Sequence, residues 1–221
     1  MKLSDKTLSI LKTFATINTN LMIKPGQQIT TVAPTKDIMA EVKVDEKFEK
    51  EVRIYNMNEL LGVLNAMGEG ADIILEDNYL TIQEGKQKVK YVYCDASLMA
   101  APPKAITMPA AEIEFDLSAA NLAKIQKMAS TLAVQDVAIQ GDGKNISISV
   151  FDEKQPTGNT FDIDLQTKTK EKFNVLFKVE KLKLMPSDYK VEISSKKISR
   201  FKSDSLDLVV YIAVEATSSF E

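Results

Sequence analysis

The sequence predicts an α+β protein made of two similar halves. One observation is an internal repeat, in which the same succession of apolar positions occurs twice along the 221 residues. Another is helical periodicity, with apolar residues every three or four positions near 4–17 and 118–132. Most of the remaining chain alternates apolar and polar residues, which is typical of half-buried antiparallel strands.

The repeat consists of three pairs of matching segments. Residues 3–15 match 117–129 at a separation of 114 residues, and 24–29 match 141–146 at 117. Residues 72–80 match 190–198 at a separation of 118. Small loop insertions would lengthen the separation gradually, as is seen here. The three pairs also occur in the same order along the chain, which favours duplication over coincidence.

Each half is expected to contain a strand, a helix, three strands, another strand, a short helix and further strands. The expected helices lie near residues 4–17, 56–67, 118–132 and 179–185. The expected strands include 88–95, 134–140, 145–151, 161–167 and 206–214. Segments 24–29 and 141–146 are expected to be glycine-containing hairpin turns.

A connector is predicted between the halves. Residues 96–111 contain Pro102, Pro103 and Pro109, and proline at this density opposes both helices and interior strands. We therefore expect an N-terminal domain over 1–95, an extended connector over 96–111 and a C-terminal domain over 112–221.

The composition excludes several kinds of chemistry. The chain has no His, no Trp and one cysteine, Cys94, so it can form neither an internal disulfide nor a Cys/His zinc site. Catalysis by a Ser-His-Asp or Cys-His arrangement is excluded as well. We expect a protein without a cofactor or a metal, and not an enzyme. Segment 208–214, the longest apolar run, is too short to span a membrane, and residues 1–6 lack a secretory core, so we expect the cytoplasm.

Acidic residues offer one alternative to that expectation. Asp152, Asp162 and Asp164 could form a carboxylate cluster for Mg²⁺, which would make the protein a magnesium-dependent enzyme. The alternation of Asp162 and Asp164 along a predicted strand instead indicates its solvated side. Loss of activity on changing Asp162 to Asn would distinguish the two interpretations.

Lysines dominate the basic residues and recur on the predicted helices. The chain has a net charge of −3, and of its 28 basic residues two are arginines and 26 are lysines. Lysine suits diffuse contact with phosphates, whereas sequence-specific reading of bases relies on arginine. Helical wheels place lysines opposite the apolar side of the first and third helices, and one lies in segment 179–185; these are Lys6, Lys12, Lys124, Lys127 and Lys181. Such residues either solvate the surface or face DNA without regard to its sequence. The predicted helix at 56–67 contains no lysine.

Several stretches together resemble the DNA sliding clamps, most closely the polymerase processivity factors of T4-type bacteriophages. They are spread along the whole chain, and their order and spacing carry the resemblance. They comprise residues 2–4, 11–18, 101–109, 185–186, 189–190 and 211–216.

The resemblance implies the DNA clamp fold, with two similar domains per chain, each with two helices packed on antiparallel sheets. Three chains would form a ring of six domains around duplex DNA, with helices lining the hole. The resemblance also implies that strand 88–95 pairs with strand 160–168 of a neighbouring subunit. Lys88 and Lys90 would then face Asp162 and Asp164.

Partner proteins are implied in the same way. Clamps of this family bind a short apolar peptide beneath the connector, and the corresponding groove here would contain Ile38, Leu98, Met99, Ile106, Met108 and Val214. The implied partners are the replicative DNA polymerase, an ATP-driven clamp loader and factors of late viral transcription. The same residues could instead pin the connector to the body, and both interpretations stay open.

A single-stranded nucleic-acid binder is the alternative function. Such a protein should display aromatic side chains on a basic groove, where bases can stack. The basic helix sides of this sequence contain none. This feature favours a protein that surrounds duplex DNA.

Overall fold

A computed structural model describes residues 1–68, 70–99 and 106–220. The chain divides into two compact units. The first unit comprises Met1–Ala105 with Leu206–Leu208, and the second comprises Ile106–Ser205 with Val209–Glu221. Pro102 and Pro103 of the predicted connector lie outside the described residues, so the predicted extended path stays a prediction there.

The first unit contains two helices and seven strands among its described residues. The helices are α1 (Asp5–Ile17) and α2 (Met57–Met67). The strands are β1 (Leu21–Ile23), β2 (Gly26–Val32), β3 (Ile38–Phe48), β4 (Val52–Ile54), β5 (Asp72–Leu75), β6 (Tyr79–Glu84) and β7 (Gln87–Val92). A 3₁₀ turn follows at Ala96–Leu98.

The second unit contains one α-helix and nine strands among its described residues. The helix is α3 (Ala119–Leu132). The strands are β8 (Ile113–Leu117), β9 (Asp136–Asp142), β10 (Asn145–Phe151), β11 (Phe161–Lys168), β12 (Lys172–Lys178), β13 (Tyr189–Ser194), β14 (Ile198–Ser203), β15 (Leu208–Ala213) and β16 (Ser219–Phe220). A 3₁₀ turn spans Val179–Lys181.

The three α-helices confirm the predictions for 4–17, 56–67 and 118–132, and all three begin at a polar N-cap. The Ser4 hydroxyl accepts from the Thr7 N–H, and the Ser118 hydroxyl accepts from Asn121. Asn56 caps α2 in the same way. These bonds satisfy N–H groups that a helix leaves unpaired at its start, and they explain why each helix begins where it does.

The predicted helix at 179–185 is wrong. Only Val179–Lys181 forms a turn, and it is of the 3₁₀ type. Downstream, Leu182, Leu184 and Met185 are buried, a spacing that does not fit one side of an α-helix. Pro186 also disfavours helical geometry at the residue before it.

One strand pairing recurs in both units, between the segment before the first helix and the strand after the second helical position. In the second unit, one antiparallel sheet has the order β11-β10-β9-β12-β16, and β8 pairs with β13. In the first unit, β5, β6 and β7 form an antiparallel sheet. The Met1 amino group donates to the Ile73 carbonyl, and the Ile73 N–H donates to the Met1 carbonyl, both at 2.7 Å. Met1 thus runs beside β5 as β8 runs beside β13, which supports the duplication.

The two predicted hairpin turns differ. Segment 141–146 joins β9 to β10 in an antiparallel hairpin, as expected. At segment 24–29 a turn is present, with Gly26 at φ 136°, but β1 forms its ladder with β4. Pro25 lacks the N–H that a tight hairpin would use, and β1 is short.

The cores lie between the helices and the sheets within each unit. Phe14 and Ile10 of α1 are fully buried in the first unit. The second unit holds three aromatic rings in edge-to-face contact, with Phe201 centred 6.1 Å from Phe177 and 6.4 Å from Tyr189. One side of α1 and one side of α3 are likewise buried, and their opposite sides are exposed.

Candidate nucleic-acid interface

The exposed side of α1 carries Lys6 and Lys12. Lys12 is exposed and Lys6 is half-exposed, and neither belongs to an ion pair with another described residue. Ser9 and Thr16, which are small and polar, share this side, and Asp5 is its acidic residue. The exposed side of α1 therefore carries two lysines without an ion-pair partner among the described residues, surrounded by small polar side chains.

The exposed side of α3 is the counterpart in the second unit. Lys124 and Lys127 are both exposed, and α3 contains no acidic residue. The Lys124 ammonium lies 5.7 Å from the centre of the Phe161 ring on β11, an arrangement that orients it without neutralising it. No exposed aromatic side chain occurs along α1 or α3, so the stacking surface expected of a single-strand binder is absent from these helices.

Lys181 is placed differently from the other four predicted lysines. Its ammonium lies 2.8 Å from a carboxylate oxygen of Glu215, and the two side chains are 22% and 25% exposed. Glu215 is 34 residues away in the sequence, and no local pattern pointed to it. The charge of Lys181 is therefore largely matched by that of Glu215.

The helix α2 has no lysine, as its sequence requires. Its exposed positions include Asn58, Glu59 and Asn65. Among the three α-helices, lysines thus occur on α1 and α3 alone. Such a set of point charges can attract phosphates, but it has no fork geometry with which to read bases.

The predicted interface residues lie on strands at the edges of their sheets. Lys88 and Lys90 are exposed on β7, which is the last strand of the sheet β5-β6-β7. Asp162 and Asp164 are exposed on β11, which is the first strand of the sheet β11-β10-β9-β12-β16. The Lys90 ammonium lies 4.2 Å from the centre of the Tyr79 ring, and Asp162 accepts a hydrogen bond from the Ser149 hydroxyl.

The six predicted groove residues are divided between the two units. In the first unit Ile38 and Met99 are buried, whereas Leu98 is 63% exposed. In the second unit Val214 is buried, and Ile106 and Met108 are half-buried. Within that unit the Tyr211 hydroxyl donates to the Ile106 carbonyl at 3.5 Å and holds the end of the connector.

The large pKa shifts belong to buried phenols, not to the lysine-bearing sides. Burial raises the pKa of Tyr93 to about 12, and the nearby Arg53 guanidinium offsets part of this effect. Burial also raises the pKa of Tyr189, whose hydroxyl donates to the Met185 carbonyl at 3.0 Å. Both phenols stay neutral at physiological pH and act as core residues.

The described residues contain neither a metal-binding cluster nor a membrane-spanning helix. No group of three or more His, Cys, Asp and Glu residues within them is arranged to hold a metal ion. No helix within them is long and apolar enough to cross a membrane.

Two family models together match nearly the whole chain. A model described as DNA polymerase processivity factor matches residues 2–108, and one described as the C-terminal part of the gp45 sliding clamp matches residues 114–216. The chain belongs to this family of sliding clamps, which are processivity factors of DNA replication and not enzymes.

Two phage proteins match this chain over nearly its full length and their own. The sliding clamp of Vibrio phage KVP40 is 29% identical over 223 residues, which covers 98% of this chain and 100% of that protein. The sliding clamp of Enterobacteria phage T4 is 28% identical, with 100% of both chains covered. The predicted resemblance to clamps of T4-type phages is thereby confirmed.

Solved structures confirm the predicted fold class. Proliferating cell nuclear antigen (PCNA) of A. fulgidus, solved with the C-terminal region of FEN-1 bound to it, has a TM-score of 0.71 at 14% identity and 96% coverage of both chains. PCNA of Entamoeba histolytica has a TM-score of 0.69 at 17% identity, with 95% of this chain and 94% of that chain covered. At these identities the likeness concerns the fold alone, which is the DNA clamp fold.

Proposed function

We propose that three copies of this chain close into a ring around duplex DNA and tether the replicative DNA polymerase for processive synthesis. The observation that carries the proposal is the recurrence of unpaired lysines on α1 and α3, the equivalent helices of two repeated units. Family membership supplies the class of function, and the repeated basic sides supply the surface that would line the hole.

Ring closure follows from a contact between unlike surfaces. A head-to-tail contact that rotates each copy by about 120° closes after three copies and leaves no free sheet edge. The edges of β7 and β11 are available for such a contact and carry opposite charges. Each exposed ion pair would contribute about 0.2 to 1 kcal/mol, so high salt should loosen the ring.

Retention on DNA would depend on topology more than on tight contact. Lys6, Lys12, Lys124 and Lys127 would attract phosphates through water over about a Debye length, roughly 8 Å at physiological salt. Lys181 would contribute less because Glu215 matches its charge. Such contacts position the duplex and let the ring slide.

Partners would bind at the connector. We infer a groove for short apolar peptides at Ile38, Leu98, Met99, Ile106, Met108 and Val214. The occupants would be the polymerase, an ATP-driven clamp loader and, for a phage of the T4 type, factors through which the ring activates late transcription. All of these events would take place in the host cytoplasm.

Retention on circular and linear duplex tests the ring. After loading, the protein should stay on closed circular DNA and leave linear DNA from its ends, and cutting the circle should release it. Light scattering should give three times the 24.5 kDa chain mass. Equal retention on both forms, or a strictly monomeric mass at micromolar concentration, would contradict the proposal.

A substitution at Met108 tests the groove. Met108→Asp introduces a charge at a half-buried position, so it should weaken polymerase binding at least tenfold, the equivalent of about 1.4 kcal/mol. Thr107→Asp is the matched control because Thr107 is exposed. Equal binding of the two variants would return the connector to a purely structural role.

A further inference from the structure

The two arginines of the chain each lie beside residues that hold one end of the connector, whereas the 26 lysines are spread along the sequence. Arg53 lies on β4, and its carbonyl accepts from the Cys94 N–H at 3.4 Å, two residues before the connector begins. Arg200 lies on β14, in the unit that contains Ile106 of the connector. This placement suggests a role that lysine does not fill.

The first cluster contains Arg53, Glu51 and Tyr93. The guanidinium carbon of Arg53 lies 6.0 Å from the centre of the Tyr93 ring, and its Nε atom lies 3.8 Å from a Glu51 carboxylate oxygen. Tyr93 is buried, directly follows β7, and donates its N–H to the Asn78 carbonyl at 3.0 Å. The Cys94 thiol also lies 3.8 Å from the Arg53 carbonyl. The backbone that leaves β7 toward the connector is thus held to β4.

The second cluster contains Arg200, Glu192 and Tyr211. Glu192 on β13 lies directly opposite Arg200 on β14, and the two form an ion pair with side chains 24% and 31% exposed. Hydrogen bonding to Glu192 raises the pKa of Arg200, burial opposes this increase, and the Tyr211 hydroxyl adds to it. The hydroxyl therefore lies beside the guanidinium. It also donates to the Ile106 carbonyl at 3.5 Å, which links Arg200 to the connector through Tyr211.

Fold stability alone does not account for the first cluster. Arg53 Nε and the Tyr93 hydroxyl are buried, and neither has a hydrogen-bond partner within the described residues. Buried polar atoms without such partners destabilise a fold, and apolar side chains of similar size would avoid this cost. An arginine at this place is better explained by what it does to the neighbouring backbone.

The geometry of arginine suits it to hold a backbone segment in one position. Its planar guanidinium stacks on an aromatic ring and directs its donors at fixed angles to a carboxylate or a hydroxyl. The lysine ammonium is a hydrated point charge on a flexible stem and provides neither constraint. A binding groove whose backbone is already fixed loses less conformational entropy when a peptide enters, so it binds more tightly.

We propose that Arg53 and Arg200 are positioning residues that fix the two ends of the connector and thereby preorganise the groove for partner peptides. Neither arginine is one of the six groove residues, and neither needs to touch the partner. The proposal rests on the groove of the proposed function and specifies what holds its backbone in place.

Hydrogen exchange of the full-length protein, measured by mass spectrometry, tests the two anchors. Arg200→Lys keeps the charge but loses the planar geometry, so it should speed exchange at residues 106–111 at least about threefold and leave 94–99 unchanged. Arg53→Lys should have the reverse effect. Each variant is the control for the other. Unchanged exchange, or equal increases at both ends in each variant, would overturn the anchors, since general destabilisation acts on both ends.

Polymerase binding tests the positioning role. Each lysine variant should raise the dissociation constant of the polymerase complex about threefold to tenfold with no change in oligomer mass. Lys202→Gln, at an exposed position on β14, is the control and should bind as the parent does. Unchanged affinity in both lysine variants would overturn the role. A parent chain that binds no polymerase would overturn the groove itself, and exchange would still decide whether the arginines hold the connector.

Substitutions at the two tyrosines separate the contacts within each cluster. Tyr211→Phe removes the hydroxyl, so it should speed exchange at residues 106–111 as much as Arg200→Lys does, and the double variant should add nothing further. Additive effects would overturn the link through Tyr211. Tyr93→Phe keeps the ring beside Arg53 and should leave exchange at 94–99 unchanged, whereas Tyr93→Leu should speed it. Equal effects of these two variants would overturn the contact between Arg53 and the ring.

Discussion

The two units differ at their second helical position, although in both units a helix followed by four strands precedes it. The first unit has the 11-residue helix α2 there, and the second has a 3-residue 3₁₀ turn. Around that turn the lysines are occupied, because Lys178 pairs with Asp136 and Lys181 with Glu215. α2 has no lysine to pair. Neither position offers unmatched positive charge comparable to that of α1 and α3, so duplicated architecture does not imply duplicated surface chemistry.

The largest expected effect concerns the aromatic trio of the second unit. Phe201→Ala removes a fully buried ring that contacts both Phe177 and Tyr189, so it should lower the free energy of unfolding by about 3 to 5 kcal/mol. Phe220→Ala, at a half-buried position on β16, is the control and should cost about 1 kcal/mol. Urea denaturation followed by circular dichroism measures both, and equal losses would mean that the trio does not dominate this core.

The next effect concerns the start of α1. Glu46 accepts hydrogen bonds from the Ser4 N–H and from the Thr7 hydroxyl at 2.6 Å. Partial burial raises the pKa of Glu46, but these hydrogen bonds outweigh burial and hold the pKa below its usual value. Glu46→Gln should therefore lower the free energy of unfolding at pH 7 by about 1 to 2 kcal/mol.

The sign of the pH dependence follows from that lowered pKa. The contribution of Glu46 is fully present above its unfolded pKa of about 4.3 and is lost as the pH falls through the folded value. The difference between the parent and Glu46→Gln should thus shrink below about pH 4. Glu49→Gln, at an exposed position, is the control, and a difference independent of pH would contradict the role of the carboxylate.

A charge reversal on α3 tests whether the lysines of this helix face DNA, as proposed. Lys124→Glu/Lys127→Glu should shorten retention on circular DNA about tenfold without changing the oligomer mass, because the reversed charges occur in every copy. Lys170→Glu/Lys196→Glu makes the same change in charge at exposed turns of the same unit. If both double variants lose retention equally, only net charge matters and α3 has no special place.

The smallest effect concerns the ends of the helices. The C-cap residue of α2 is Gly68 with φ 97°, whereas the C-cap residue of α3 is Ala133 with φ 52°, in the left-handed region that favours glycine. Ala133→Gly should raise the free energy of unfolding by about 0.5 to 1 kcal/mol. Gly68→Ala should lower it, since the new Cβ would also lie 3.0 Å from a Glu84 carboxylate oxygen. Thermal denaturation measures both, and a loss in Ala133→Gly would contradict the strain.

The helices could be predicted because their signals are local. Ser4, Asn56 and Ser118 each precede an apolar periodicity, and the cap and the periodicity together define a helix within one stretch of sequence. The predicted bounds of β10, which alternates clearly, agree with the structure. By contrast, β7 ends at Val92 and not at the predicted residue 95. The repeat gave the architecture because it required only the order of the elements.

The remaining features depend on contacts between distant residues. Nothing near Lys181 in the sequence indicates that Glu215 would neutralise it, and nothing near β1 indicates its ladder with β4. The 3₁₀ turn at Val179–Lys181 also depends on tertiary packing, since burial of Leu182 and Leu184 overrides the local helical preference. Charge counts along a sequence therefore overstate the charge that is available to a ligand.

The opposite charges on β7 and β11 also restrict the symmetry that this chain can adopt. A two-fold dimer through either edge would set Lys88 and Lys90 against themselves, or Asp162 and Asp164 against themselves, and like charges directly opposite each other on paired strands are destabilising. Isologous dimers are thus disfavoured at both edges. In the proposed ring, chains would instead add head to tail, and each addition would regenerate the edge that the next one needs.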